Sequence, residues 1–127
     1  MFETLRATPT IAVSDIERAK KFYGETLGLK VNDERADGVR YEAGGGSLVL
    51  VYPSQFAGTA KSTYMGFDVE DVEKAVRELR ERGVVFEEYD MPGERSAAGA
   101  ITAMGAKAAW FKDSEGNILA IVQDVRR

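Results

Sequence analysis

The amino-acid sequence predicts an α+β fold made of two copies of one βαβββ module. The first observation is a repeat: residues 13–19 are Val-Ser-Asp-Ile-Glu-Arg-Ala, and residues 69–75 are Val-Glu-Asp-Val-Glu-Lys-Ala. The second observation is that both copies have the same flanks, with a strand-like run before the repeat and a glycine and another strand-like run after the helix. Matching flanks make coincidence a poor explanation, so we interpret the chain as a duplicated unit.

The composition is that of one globular domain. The chain has 127 residues, of which 44% are hydrophobic and 30% are charged, and its net charge is −4. A chain of this length buries roughly two thirds of its unfolded surface in a single core. It has no basic run, no apolar run of membrane-spanning length and no hydrophobic leader. We therefore expect a cytoplasmic protein with neither nucleic-acid nor membrane partners.

Two residue types are missing from the chain. The absence of cysteine excludes disulfides, thiolate nucleophiles and cysteine zinc sites. The absence of histidine excludes a serine–histidine triad, an imidazole base and an imidazole metal ligand. The composition therefore excludes many kinds of enzyme before any motif is considered.

Module one is predicted to span residues 7–53. Residues 7–13 alternate in polarity as a half-buried strand does, so the odd-numbered positions face the core. Ser14 and Glu17 are predicted to form a capping box at the start of a helix that ends before Gly28. Hairpin turns at Asp-Gly and Gly-Gly-Gly separate the strands that follow. These strands are expected at residues 29–34, 39–43 and 47–52.

Module two is predicted to span residues 63–123, after a small and polar linker at 54–62. Its helix carries the second copy of the repeat and ends at Gly83, and a loop rich in glycine and alanine is expected at 90–100. Residues 113–117 form a predicted hairpin turn. The strands are expected at residues 63–69, 84–89, 101–112 (with a break at Gly105) and 118–123.

Two motifs resemble the vicinal oxygen chelate superfamily, which includes glyoxalase I, bleomycin resistance proteins and extradiol dioxygenases. One is Thr-Ile-Ala-Val-Ser-Asp-Ile-Glu-Arg-Ala-Lys-Lys-Phe-Tyr at residues 10–23, followed by Leu-Gly. The other is Trp-Phe-Lys-Asp-Ser-Glu-Gly-Asn-Ile-Leu-Ala at 110–120, with Ser114 where the family usually has proline. The resemblance covers nearly the whole chain and implies a curved, cup-like mixed sheet with the helices on its outer face.

The resemblance also implies where a metal would bind. Metal-dependent members place four ligands, usually histidine, glutamate or glutamine, on the cup-facing side of the first and last strands of each module. The corresponding positions here are Thr8, Val49 or Leu50, Tyr64 and Ala120. Neutral hydroxyls are weak ligands and aliphatic side chains are not ligands at all. We therefore expect a member that has lost its metal and uses no cofactor.

The cup is then expected to present a pocket for a small molecule. Strand alternation places small residues of both modules on the cup side, which leaves room for a ligand. The candidate ligand-binding residues are Thr8, Thr10, Arg40, Tyr64, Asp68, Trp110 and Ala120.

Four of these candidates have a structural alternative. Tyr64 either stacks on a ligand or fills the sheet face left by the lost metal site. Asp68 is either functional or a cap for the following helix. Arg40 either pairs with an anionic ligand or is a solvated edge charge, and Trp110 either faces the ligand or packs in the core.

Three functions are compatible with these residues. The first is a metal-free protein of the bleomycin-resistance type, which sequesters a small molecule in clefts of a homodimer. The second is a cofactor-independent isomerase or lyase with Asp68 as base and Tyr64 as acid. The third, which the four substituted ligand positions disfavour, is a metal-dependent lyase or dioxygenase.

Overall fold

The computed structural model describes residues 1–125, which form two mixed β-sheets with one α-helix packed on each. The first module contains β1 (Thr10–Val13), α1 (Ile16–Lys21), β2 (Lys30–Arg35), β3 (Gly38–Glu42) and β4 (Leu48–Pro53). The second contains β5 (Met65–Asp68), α2 (Val72–Glu81), β6 (Glu94–Arg95), β7 (Ile101–Ala103), β8 (Ala106–Lys112) and β9 (Ile118–Asp124). A π-helical turn, Phe22–Thr26, continues directly from α1.

The two sheets have the same topology, as the repeat predicts. In the first sheet the strand order is β1-β4-β3-β2, and in the second it is β5-β9-β8-β7-β6. The first strand of each module pairs in parallel with the last, and the other pairs are antiparallel. Within residues 1–125 no ladder joins the two sheets, so the sheet is not closed. The predicted α+β fold of tandem βαβββ modules is confirmed.

One core joins the two modules. Strand alternation places Ile11 and Val13 of β1 against the helices, together with Leu119 and Ile121 of β9, and all four are buried. The aromatic ring of Phe22, at the end of α1, lies 6.5 Å from that of Phe111 on β8. The core faces of the two sheets therefore belong to one continuous apolar interior. No helix among the described residues is long and apolar enough to cross a membrane.

Each helix begins at the aspartate of the repeat. The side chains of Asp15 and Asp71 accept hydrogen bonds from the backbone nitrogens three residues later, at 3.0 and 3.1 Å. The predicted capping box of Ser14 and Glu17 is wrong, because Asp15 is the N-cap and Ser14 bonds across to the second module. The helical segment, continued by the π-helical turn Phe22–Thr26, ends before Gly28 as predicted, and Gly28 has a φ of +75°.

Two other predictions need correction. The first hairpin turns at residues 36–37, and Gly38 is already in β3, where a Cβ atom would lie 2.2 Å from the carbonyl oxygen of Val51. Residues 84–89 do not form a regular strand and make only an isolated bridge, from Phe86 to Phe111. The reason is that β7 occupies the other half of the same edge of β8. The predicted break at Gly105 separates β7 from β8.

The β8–β9 turn carries three buried polar side chains, Asp113, Glu115 and Asn117, which we call the clasp. Its centre is Glu115, whose carboxylate accepts bonds from the backbone nitrogens of Ser14 and Asp15 at 3.0 and 2.8 Å. It also accepts from the Ser14 hydroxyl at 2.9 Å and from two nitrogens of Arg18 at 2.7 and 3.0 Å. A carboxylate of module two therefore holds the β1–α1 junction of module one.

The other two clasp residues add bonds between the modules. Asp113 accepts from the buried Tyr23 hydroxyl at 2.6 Å. The Asn117 amide donates to the Ala12 carbonyl at 2.8 Å and accepts from the Gly58 backbone at 2.9 Å. Burial raises the pKa of Tyr23, and Asp113 raises it further, so the phenol stays protonated and donates. The clasp thus ties β1, the first helix and the linker to one turn.

The clasp predicts a pH-dependent stability. Burial alone would raise the pKa of Glu115, but bonds from Arg18, Asp15, Ser114 and Ser14 outweigh it and lower the pKa from 4.5 to about 2. A lowered pKa stabilises the fold above the unfolded value, and this contribution is lost as pH falls through the folded value. Glu115→Gln should therefore lower the free energy of unfolding near neutral pH by on the order of 3 kcal/mol.

Urea unfolding between pH 7 and pH 2 measures this effect. The wild-type free energy should fall between about pH 5 and pH 2, and Glu115→Gln should lack most of that fall. The control is Glu17→Gln, since Glu17 is exposed on α1, the helix that Glu115 contacts, and among residues 1–125 its carboxylate pairs only with Lys20 at 3.5 Å. Parallel curves for the wild type and Glu115→Gln would refute the prediction.

Candidate functional site

The sheet surface opposite the core in module one carries Thr10, Leu50 and Arg40 side by side, and we call it the first face. Thr10 pairs with Leu50, and Leu50 pairs with Arg40 on the next strand. Both guanidinium η-nitrogens of Arg40 bond the Asp37 carboxylate at 3.0 Å. Arg40 therefore lies on the predicted face, but its charge is already paired. Thr8 precedes β1 and is exposed.

The corresponding surface of module two, the second face, brings together three predicted residues. Gly66 pairs with Ala120, and Ala120 pairs with Trp110, so one row crosses β5, β9 and β8. Asp68 starts the neighbouring row, beside Val122. The row contains only one large side chain, the indole, because its other two members are glycine and alanine.

Trp110 faces away from the core. Its neighbours on β8, Ala109 and Phe111, are buried in the core, whereas Trp110 is half-buried on the opposite side. The indole nitrogen donates to the Thr63 hydroxyl at 3.0 Å, and the Tyr89 ring meets the indole edge-on with centroids 5.8 Å apart. The core-packing interpretation of Trp110 is therefore wrong.

Tyr64 and Asp68 lie at the two ends of β5. Tyr64 is 38% exposed, and its backbone nitrogen donates to Ile118 at 2.7 Å. Asp68 is exposed, and its side chain makes no hydrogen bond or ion pair with any residue in 1–125. The interpretation of Asp68 as a helix cap is wrong, since Asp71 caps α2. Four strand residues span about 13 Å, so the two side chains are well separated.

The two faces do not meet within one chain. The core sides of both sheets share one interior, so the first and second faces lie on the outside of the molecule. An apolar groove of about 330 Å³ lies elsewhere, on the core side, between Leu27 and Leu29 of module one and Phe67 and Leu79 of module two. The candidates on the strands are therefore divided between two separate surfaces, with Thr10 and Arg40 on the first face and Asp68, Trp110 and Ala120 on the second.

A family model decides the relationship that the fold indicates. The model of the glyoxalase/bleomycin resistance protein/dioxygenase superfamily matches residues 6–121. The chain belongs to this superfamily. No curated protein sequence matches it at a significant level.

Solved structures share the superfamily fold along their whole length. UcmS2 has a TM-score of 0.72 and 19% identity, covering 93% of this chain and 98% of that one. A glyoxalase family protein from Enterococcus faecalis has a TM-score of 0.70 and 23% identity, with 96% and 99% covered. TnmS3, an antibiotic binding protein from Streptomyces sp. CB03234, has a TM-score of 0.68 and 20% identity, with 95% and 98% covered. At these sequence identities, the structural similarity shows a shared fold and nothing about the ligand.

The superfamily's metal positions do not fit a metal in this chain. Leu50, not Val49, shares the first face with Thr10, because Val49 is buried on the core side. Both alternatives are aliphatic, and Ala120 is a methyl group, so neither module supplies a pair of donors. Within residues 1–125 no three acidic side chains lie close enough together to hold an ion.

The sequence analysis missed Tyr89, which contacts Trp110 on the second face. The alternation of residues 86–89 contains this signal: Phe86 packs on Phe111 at 5.5 Å on the core side, and Tyr89, three positions later, lies on the other side. The sequence analysis also missed the contacts between the clasp and module one, although the turn itself was recognised as a motif.

Proposed function

We propose that the protein is a metal-free small-molecule-binding protein that sequesters its ligand, as in the bleomycin-resistance branch of the superfamily. The observation that carries the proposal is the second face, where Trp110 stands beside Gly66 and Ala120 on a surface without metal donors. An indole on a face otherwise lined by glycine and alanine is suited to a flat apolar molecule. The ligand class is therefore a small aromatic or amphipathic compound.

The structural neighbours support this branch of the superfamily. TnmS3 is an antibiotic binding protein, and its fold aligns with 95% of this chain. A glyoxalase/bleomycin resistance protein from the same Streptomyces strain aligns with 91%, at a TM-score of 0.66. Their identities of 20% and 22% leave the ligand of this chain open, so the compound itself has to be found by experiment.

A homodimer is part of the proposal. A cup closed within one chain would separate the two helix-side cores, one on each side of the cup. Here Phe22 contacts Phe111 and Tyr23 bonds Asp113, so the two cores are joined and the faces lie outside. We propose that the first face of one protomer covers the second face of its partner, which gives two clefts per dimer.

The alternative is a cofactor-independent isomerase or lyase. Asp68 favours it, because an exposed carboxylate without a partner is available as a base. The separation of about 13 Å along β5 opposes it, since an acid and a base that act on adjacent atoms must both reach them. Turnover of a bound compound would favour the enzyme over the binder.

The first prediction from the proposal concerns metal content. We expect less than roughly one tightly bound transition-metal ion per ten chains. The reason is that the side chains at the four ligand positions, Thr8, Leu50, Tyr64 and Ala120, form no chelating set. Inductively coupled plasma mass spectrometry of protein purified without chelators measures it. A stoichiometric ion that survives dialysis would contradict the proposal.

The second concerns the ligand. A thermal-shift screen of aromatic metabolites and antibiotics should give at least one stabilising compound. For that compound, Tyr64→Ala and Asp68→Ala should each weaken binding by about tenfold, the effect of one lost polar or stacking contact. The matched control is Glu70→Ala, which removes an exposed charge just beyond β5. If neither substitution changes the dissociation constant, the placement of the site is wrong.

The third concerns oligomeric state. Light scattering should give about twice the chain mass of 13.9 kDa. Leu50→Glu places a charge on the first face and should shift the protein toward monomer, whereas Val85→Glu, at a residue that is 79% exposed, should not. A wild-type protein that stays monomeric at all concentrations would rule out the dimer.

A further inference from the structure

Tyr89 lies on the second face, at the edge of β8. The bridge between Phe86 and Phe111 aligns residues 84–89 with β8, and the backbone nitrogen of Glu87 donates to the Trp110 carbonyl at 2.8 Å. Phe86 points to the core, so Glu87 and Tyr89 point to the opposite side. The ring contact between Tyr89 and Trp110 agrees with this alternation, at an interplanar angle of 65°.

The hydroxyl of Tyr89 is buried and has no hydrogen-bond partner among residues 1–125. Buried polar atoms are nearly always bonded, because an unpaired one loses its bonds to water without replacement. The other such atom is a carboxylate oxygen of Glu73, and it has the Lys107 ammonium at 2.8 Å. Tyr89 thus carries the one buried hydroxyl of the described residues that lacks both a hydrogen bond and a counter-charge.

The backbone around Tyr89 is held in place. Arg95 donates to the Tyr89 carbonyl at 2.8 Å and to the Gly99 carbonyl at 3.4 Å, so one side chain joins both ends of the 90–100 loop. The ring of Tyr89 is fixed on its other side by Trp110. A fixed and unsatisfied hydroxyl beside an indole is the arrangement expected of a binding group that is positioned before its ligand arrives.

We propose that the Tyr89 hydroxyl donates a hydrogen bond to an acceptor oxygen, such as a carbonyl, on an aromatic ligand that packs beside Trp110. This inference rests on the proposed function, and it narrows the ligand class from aromatic compounds to aromatic compounds with an adjacent acceptor. Burial raises the pKa of Tyr89, which keeps the phenol protonated at neutral pH and available as a donor.

Two matched probes test the proposal: 2-acetylnaphthalene, which has a carbonyl oxygen, and 2-ethylnaphthalene, which has the same shape without it. Binding is followed by equilibrium dialysis and by the emission of Trp110, the only tryptophan of the chain. The ratio of the two dissociation constants should change by about three- to tenfold in Tyr89→Phe, the value of one net hydrogen bond. Because the comparison uses two ligands and two proteins, the change in the ratio reports only the interaction between the Tyr89 hydroxyl and the carbonyl oxygen of 2-acetylnaphthalene.

The control is Tyr41→Phe, the same chemical change on a tyrosine of the first module's core side, which should leave the ratio unaltered. Tyr89→Phe should also keep or raise the unfolding temperature without ligand, because it removes an unpaired buried oxygen. An equal loss of both affinities with a lower unfolding temperature would mean a structural role and overturn the proposal.

Three further outcomes separate this inference from the function on which it rests. If the wild type binds both probes and Tyr89→Phe leaves their ratio unchanged, the inference fails and small-molecule binding stands. If Tyr89→Phe instead weakens the dimer in light scattering, the hydroxyl is bonded by the partner protomer and the inference also fails. If the wild type binds neither probe, both the inference and the proposed ligand class are wrong.

Discussion

The fold depends on one buried carboxylate. Glu115 comes from the last hairpin of module two, yet its five bonds to Ser14, Asp15 and Arg18 all end at the β1–α1 junction of module one. A buried carboxylate without partners costs several kcal/mol, so the hairpin is stable in this position only when the junction is present. The apolar core gives the modules their cohesion, and the clasp specifies how they dock.

The docking mode determines what the two sheets can do. Tyr23 and Phe22 contact the second module from the end of α1. The helix side of each sheet therefore packs in the shared core. Each cup-side face is left without a cover from its own chain. The four-stranded face carries Thr10, Leu50 and a paired Arg40, and the five-stranded face carries Trp110. Their different chemistry suits a cleft formed by two unlike faces, in which each face has a distinct part.

Much of this arrangement follows from the sequence, because the repeat and strand alternation are local patterns. They predicted the topology, both helices and the side of the sheet on which Asp68 and Ala120 lie. The errors came from competition between distant segments. The Ser14 hydroxyl donates to Glu115 and so does not cap α1. β7 pairs with part of the β8 edge along which residues 84–89 were predicted to form a strand. The face of Trp110 was ambiguous because its neighbours, Ala109 and Phe111, are both apolar and give no alternation of polarity along the strand.

A cup without metal donors has to obtain specificity from the few polar groups that its own fold leaves available. The Trp110 nitrogen is bonded to Thr63, and the Arg40 guanidinium is bonded to Asp37, so neither is open to a ligand without loss of a bond. Asp68 and the Tyr89 hydroxyl have no such partners among residues 1–125. A site with an unpaired donor strongly rejects ligand analogues that lack the matching acceptor, because the donor is then left without a bond. An apolar pocket discriminates less strongly between ligands that differ only in shape. We infer that Tyr89 and Asp68 would set selectivity in the proposed cleft, while Trp110 would supply affinity to any flat ring.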